Sequence, residues 1–107
     1  MLKETIGKNG KFIITFENYY GSGWKNEFNQ VIHKINPSFI KDTDIEISWD
    51  FSEYEILFKK DNIEVKVEID DLGPMGFILQ SPVTDINKQK MREWAIIIDL
   101  EIEKLNK

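Results

Sequence analysis

Apolar and polar residues alternate from Lys11 to Glu17, with Phe12, Ile14 and Phe16 on one side and Ile13, Thr15 and Glu17 on the other. A period of two with one wholly apolar face predicts a strand. Tyr19-Tyr20-Gly21-Ser22-Gly23 then reads as a turn. Beyond it Trp24, Phe28, Val31 and Ile35 recur at helical spacing until Asn36-Pro37, which predicts an amphipathic helix with one buried stripe. From Asp44 the period returns to two, with Ile45, Ile47 and Trp49 against Asp44, Glu46, Ser48 and Asp50. Tyr54, Ile56 and Phe58 repeat the alternation. Asp61-Asn62, two residues that tolerate positive φ, separate them from Ile63, Val65, Val67 and Ile69 and predict a tight hairpin.

A two-residue turn fixes register. Lys60 then pairs with Ile63, Phe58 with Val65, Ile56 with Val67 and Tyr54 with Ile69, so the apolar faces match. A loop across Phe51-Ser52 that keeps the same parity places Trp49 beside Tyr54, Ile47 beside Ile56 and Ile45 beside Phe58. The outer face would carry Ser48, Glu55 and Glu68 in one row, Glu46, Leu57 and Lys66 in the next, and Asp44, Lys59 and Glu64 in a third, a strongly acidic surface. After a turn at Asp71-Leu72-Gly73-Pro74, Met75 to Gln80 forms a further strand ending at Ser81-Pro82. Met91, Trp94, Ala95, Ile98, Ile102 and Leu105 mark the longest helical stripe, with Arg92, Asp99 and Glu103 opposite, where Ile96 is the one apolar residue the period leaves unexplained.

The expected architecture is α+β in the order strand, helix, four strands, helix: a mainly antiparallel sheet of four or five strands with both helices packed on one face. A more strongly curved, half-closed sheet is the alternative. With 107 residues of which 41% are hydrophobic, the chain is expected to be one domain, residues 1–107, able to bury a core without staples.

Charge narrows the function classes. The absence of cysteine excludes disulfides, thiolate metal sites and a thiol nucleophile and leaves the cytoplasm as the expected location. No apolar run approaches a membrane span, so no membrane partner is expected. The net charge of −5 argues against nucleic acid, which selects basic surfaces. Residues 42 to 71 hold eleven acids against three lysines, a net of −8 that leaves +3 on the remainder.

Candidate chemistry is sparse. Gly21-Ser22-Gly23 lacks the further glycine of a dinucleotide fingerprint and the Lys-Ser/Thr of a phosphate loop and reads as a tight turn. His33, the single histidine, reads as a helix-surface residue with no nucleophile or orienting carboxylate at a telling spacing. Asp70 and Asp71, with Asp50 near, could offer oxygens to a hard cation but lack a calcium loop and read as a solvated acidic turn. Glu55 opposite Glu68 could form an acid/base pair, though a chain this short barely permits a deep cleft. No catalytic residue, metal or cofactor is therefore expected. The bland reading of the acidic face is a solvated surface. The sharper one is that Asp44, Glu46, Glu55, Glu64, Glu68, Asp70 and Asp71 face a basic partner that relieves the Glu55/Glu68 repulsion. Trp24, Trp49 and Trp94 fall on core stripes. Tyr19, Tyr20 and Phe51 fall in predicted turns, where a ring either folds back on the core or meets a partner.

In its size, acidity, lack of cysteine and Lys/Ile/Asn-rich composition the chain resembles the immunity proteins of bacterial polymorphic-toxin and contact-dependent growth inhibition systems. The resemblance implies a cytoplasmic protein that binds a cognate toxin domain, such as a basic nuclease, and covers its active site; separately, a non-catalytic monomer or weak dimer is expected. Two other classes stay open. One is a small-molecule or regulatory module with a ligand between sheet and helix or at the Tyr19-to-Gly23 turn. The other is a small enzyme using its carboxylates with magnesium or calcium, which would require them to converge in a cleft.

Overall fold

The computed structural model describes residues 2–7, 9–20, 24–48, 51–70 and 73–105; the side chains of Tyr20, of residues 42–48 and 51–53, and of Asp70 lie outside that description. The elements run β1 (Leu2–Ile6), β2 (Phe12–Tyr20), α1 (Trp24–Val31), a 3-10 helix (Ile32–Ile35), β3 (Phe39–Ser48), β4 (Phe51–Lys60), β5 (Ile63–Asp70), β6 (Pro74–Leu79) and α2 (Asp85–Leu105). One antiparallel sheet holds the six strands in the order β1-β2-β6-β5-β4-β3. The α+β class and the antiparallel sheet with helices on one face are as the pattern predicts, with one strand more at the N-terminal end.

Local chemistry accounts for most of these elements. Gly7 donates its N–H to the Lys11 carbonyl at 2.8 Å and Gly10, at φ 79°, donates to the Gly7 carbonyl at 2.9 Å, which closes the β1–β2 hairpin. This is a three-residue loop whose last position needs the left-handed region glycine adopts without strain. Asp61 and Asn62 both take positive φ, 52° and 64°, the type I′ geometry that matches strand twist. The β4–β5 register follows as expected, Tyr54 opposite Ile69, Ile56 opposite Val67 and Phe58 opposite Val65. The first helical run is α1 followed by the tighter 3-10 turn, and Asn36, left-handed at φ 51°, ends it by donating its N–H to the His33 carbonyl. Thr84 caps α2, its Oγ1 accepting the Asn87 N–H at 3.1 Å.

The core lies between the helices and one face of the sheet. Phe12, Ile14 and Phe16 of β2, Met75, Phe77 and Leu79 of β6, the four alternate residues Ile63 to Ile69 of β5, and Ile56 and Phe58 of β4 meet Phe28, Val31, Ile32 and Ile35 and the α2 stripe Met91, Trp94, Ala95, Ile98 and Ile102. Phe77 sits at the centre, its ring 4.9 Å from Phe16, 5.6 Å from Phe58 and 6.1 Å from Phe28 between centroids. These separations are in the range where tilted and edge-on aromatic pairs add to burial. No polar or charged side chain is buried among the described residues. Trp24 is half-buried against this core and Trp94 is buried; Trp49 falls outside the described residues. Leu105, predicted to close the α2 stripe, is exposed in the final turn.

Three expectations are corrected. Tyr19 and Tyr20 belong to β2, and the β2–β6 register shifts between Phe16 and Tyr20. Such an irregularity re-aims side chains: Glu17 and Asn18 are exposed and Tyr19 turns inward, 4% exposed. Its hydroxyl donates to Asp99 Oδ1 at 2.7 Å, which ties β2 to α2. Secondly, Arg92 and Asp99, placed by periodicity on the far side of α2, both reach the sheet, Arg92 Nε donating to Glu4 Oε2 of β1 at 2.8 Å. Thirdly, β3 begins at Phe39, and Ser48 pairs with Phe51, so the β3–β4 connection is Trp49-Asp50 and not a loop over Phe51-Ser52. Ile40 therefore stands opposite Phe58, where Ile45 was expected, a slide of five positions. The register is set at its start, where Ser38 donates both its N–H (2.8 Å) and its hydroxyl (3.1 Å) to the Lys59 carbonyl and Ile40 packs against the core.

Candidate functional site

The sheet face away from the helices is built by residues that alternate with the core set, and its rows run across the whole sheet. One row is Thr5, Ile13, Ile78, Lys66, Leu57 and Lys41, each opposite the next on neighbouring strands. The row beside it is Lys3, Thr15, Gly76, Glu68 and Glu55. A third row holds Glu64, Lys59 and Phe39 at the β3 edge. Ile13, Thr15, Leu57, Ile78, Glu55, Glu64, Lys66 and Glu68 are each half-buried, shielded by their neighbours in the rows and by no helix.

The predicted opposition of Glu55 and Glu68 is present, and Lys66 answers it. The Lys66 ammonium lies 3.2 Å from Glu68 Oε1 and 3.8 Å from Glu55 Oε1, so one cation stands between the two carboxylates. Two like charges directly opposite on a sheet destabilise it by roughly 0.2–1 kcal/mol, and a shared cation offsets a cost of that size. Glu64 donates its N–H to Ser81 Oγ at 2.9 Å and its carbonyl accepts the Gln80 N–H at 2.9 Å, which fastens the end of β6 beside β5. Lys59 reaches over the Phe39 ring, 5.5 Å from its centroid, and Phe39 is 46% exposed.

The seven predicted partner-facing residues divide. Glu55, Glu64 and Glu68 share the uncovered face in the expected β4–β5 register. Asp44 stands opposite Tyr54 and Glu46 opposite Ser52, not Lys59 and Leu57, because of the β3 slide, so neither belongs to the expected rows. Asp70 pairs with Glu53 at the end of β5, and Asp71 lies outside the described residues. The described charges of the face are Glu55, Glu64 and Glu68 with Lys3, Lys41, Lys59 and Lys66, a mixed surface where a strongly acidic one was expected. The role of Lys66 was available beforehand, since the hairpin register already put it one row from Glu55 and Glu68.

At the scale of the whole sheet the charge is segregated. Residues 42 to 71, with their net −8, make up nearly all of β3, β4 and β5, three neighbouring strands that form one half of the sheet. Among the described residues no three carboxylate or imidazole groups gather at one point to hold a metal. His33 is exposed on the 3-10 helix. No described helix is long and apolar enough to cross a membrane. No family model, no curated protein and no solved structure matches the chain.

Proposed function

We propose that the chain is a non-catalytic, protein-binding inhibitor of the immunity type, which docks the β3–β5 half of its sheet on a basic toxin domain, such as a nuclease, and covers the groove that takes phosphates. One observation carries the reading: the segment from 42 to 71, with its net −8, folds into three adjacent strands that form one half of the sheet. A charge so gathered steers association with an oppositely charged partner and makes its rate sensitive to salt. The uncovered face supplies a contact surface whose two central carboxylates are held in place by Lys66 before any partner arrives. Preorganisation of this kind lowers the entropy lost on docking.

The test is capture of partners from the source cell's lysate by the tagged domain at low and moderate salt, followed by an activity assay on what is captured. The reading expects a basic toxin-like protein that is released as salt rises and whose activity the domain suppresses. A captured protein whose activity is untouched by excess domain would count against inhibition.

A further inference from the structure

We propose that the chain self-associates as a two-fold dimer through antiparallel pairing of β1 with β1 of a second copy, centred on Glu4. The hairpin sets the phase of the free edge. Because Gly7 N–H donates to the Lys11 carbonyl, Thr5 and Lys3, two and four residues earlier, turn their N–H and C=O groups toward β2. Leu2, Glu4 and Ile6 turn theirs away from it, and β1 is the terminal strand of the sheet. Of the devices that blunt an edge, β1 carries two charges, Lys3 and the helix-side Glu4 that Arg92 neutralises, but neither a proline nor a bulge.

The side chains of the same three residues lie on the helix side, opposite Phe16, Ile14 and Phe12. There α2 overhangs the edge. Arg92 holds Glu4, and Ile96, one helical turn further on, is 51% exposed, which accounts for the apolar residue that the helical period left unexplained. The Glu4–Arg92 pair divides a furrow into two hollows. One, of about 190 Å³, is walled by Leu2, Ile14 and Ile96. The other, of about 300 Å³, is walled by Thr5, Ile6, Phe12 and Lys88. Ile6 itself is 60% exposed at its rim.

A two-fold axis at Glu4 makes this edge its own complement. Leu2 of each copy stands opposite Ile6 of the other, and every outward N–H and C=O of Leu2, Glu4 and Ile6 finds a partner. Ile6 of the second copy then falls beside Leu2 and Ile96, at the apolar hollow, and symmetry repeats the contact. The two Glu4 carboxylates meet at the axis, each with its own guanidinium, so the four charges sum to zero. On the other face Lys3 meets Thr5, with no like charge opposed. An unrelated strand could pair with the backbone, but the apolar and ionic match is generated by the chain itself. The interface is small for a stable dimer, which sets the expected dissociation constant on the order of 10–100 µM. The proposal is independent of the inhibitor reading, since it leaves the uncovered face free.

The experiment is sedimentation velocity from about 10 µM to about 1 mM on the wild-type chain and Ile6→Lys, with circular dichroism to confirm that both fold. Wild type should shift to dimer mass as concentration rises and Ile6→Lys should stay monomeric. Register is tested in the naturally cysteine-free chain with single cysteines. Glu4→Cys should cross-link to itself under mild oxidation, because opposed Cα atoms of a hydrogen-bonded pair lie about 5.5 Å apart, within disulfide reach. Lys3→Cys, whose counterpart is Thr5, should not. Monomer mass throughout, dimerisation undiminished in Ile6→Lys, or equal cross-linking of the two cysteine variants would each overturn the proposal, and the cysteine pair decides should Ile6→Lys fail to fold.

Discussion

Lys66→Met is the sharpest test of how the uncovered face is held, because methionine keeps the aliphatic stem and removes only the charge that Glu55 and Glu68 share. In water two unit charges at these separations attract by about 1 kcal/mol. Measured surface pairs give roughly 0.2–1 kcal/mol, and all three side chains are about a third exposed, so the two contacts together contribute about 1 kcal/mol after screening. Removing the cation also uncovers the Glu55/Glu68 opposition, a further few tenths of a kcal/mol. The expected total of about 1–1.5 kcal/mol corresponds to a fall in Tm of about 4–8 °C for a chain of this size. It should shrink by at least about half in 1 M salt, where the screening length is near 3 Å. Thermal unfolding followed by circular dichroism at low and high salt measures both. A second change fixes the sign: Glu55→Gln should destabilise the wild type but stabilise the Lys66→Met variant, a coupling that a double-mutant cycle reads directly. A Tm within about 1 °C of wild type at low salt, or a loss unchanged by salt, would refute the shared-cation account.

Phe77→Ala should cost about 3–5 kcal/mol in chemical denaturation, since it empties the centre of the Phe16, Phe28 and Phe58 cluster; a cost below about 1.5 kcal/mol would mean that the core collapses around the gap. Tyr19→Phe should cost about 1 kcal/mol near pH 8 through loss of the hydrogen bond to Asp99. The Tyr19 hydroxyl is pushed up from its ordinary value of 10.0, first by burial and then by Asp99. Its contribution is therefore complete below about pH 10, the unfolded value, and is lost above it as the unfolded state ionises and the folded state does not. The wild-type advantage over Tyr19→Phe should fall and then reverse above about pH 10, and a pH-independent difference would contradict this.

Alternation and turn chemistry agreed at the β4–β5 hairpin, where Asp61-Asn62 and two matching apolar rows left one register open, and there the pattern and the structure coincide. Elsewhere the deciding contacts lie far apart in the chain. β1 has the alternation Leu2, Glu4, Ile6, but a carboxylate in its middle hides the apolar face, and the partner that makes Glu4 acceptable is Arg92, eighty-eight residues away. The β3 register turned on Ser38 and Ile40, upstream of the conspicuous Ile45, Ile47 and Trp49. Tyr19 looked like a turn residue because period two points it outward after Phe16, and only the irregularity opposite Met75 and Pro74 turns it inward. Of the candidate site, Glu55, Glu64 and Glu68 were legible from one hairpin register. Lys59 and Lys66 stood in the same predicted rows, but their effect depends on distance, which spacing along a strand does not supply, and Lys3 and Lys41 lie on β1 and on the start of β3, which the alternation did not mark.

The most direct test of the inhibitor reading is the affinity and association rate of the captured partner for the wild-type chain and for Glu55→Gln/Glu68→Gln, measured across salt concentrations by surface plasmon resonance. Glutamine keeps shape and removes both central carboxylates, leaving Lys66 unneutralised at the proposed interface. The account predicts at least about tenfold weaker binding, with slower association and a shallower dependence on salt than wild type. Equal affinity, rate and salt dependence in the two proteins would contradict it.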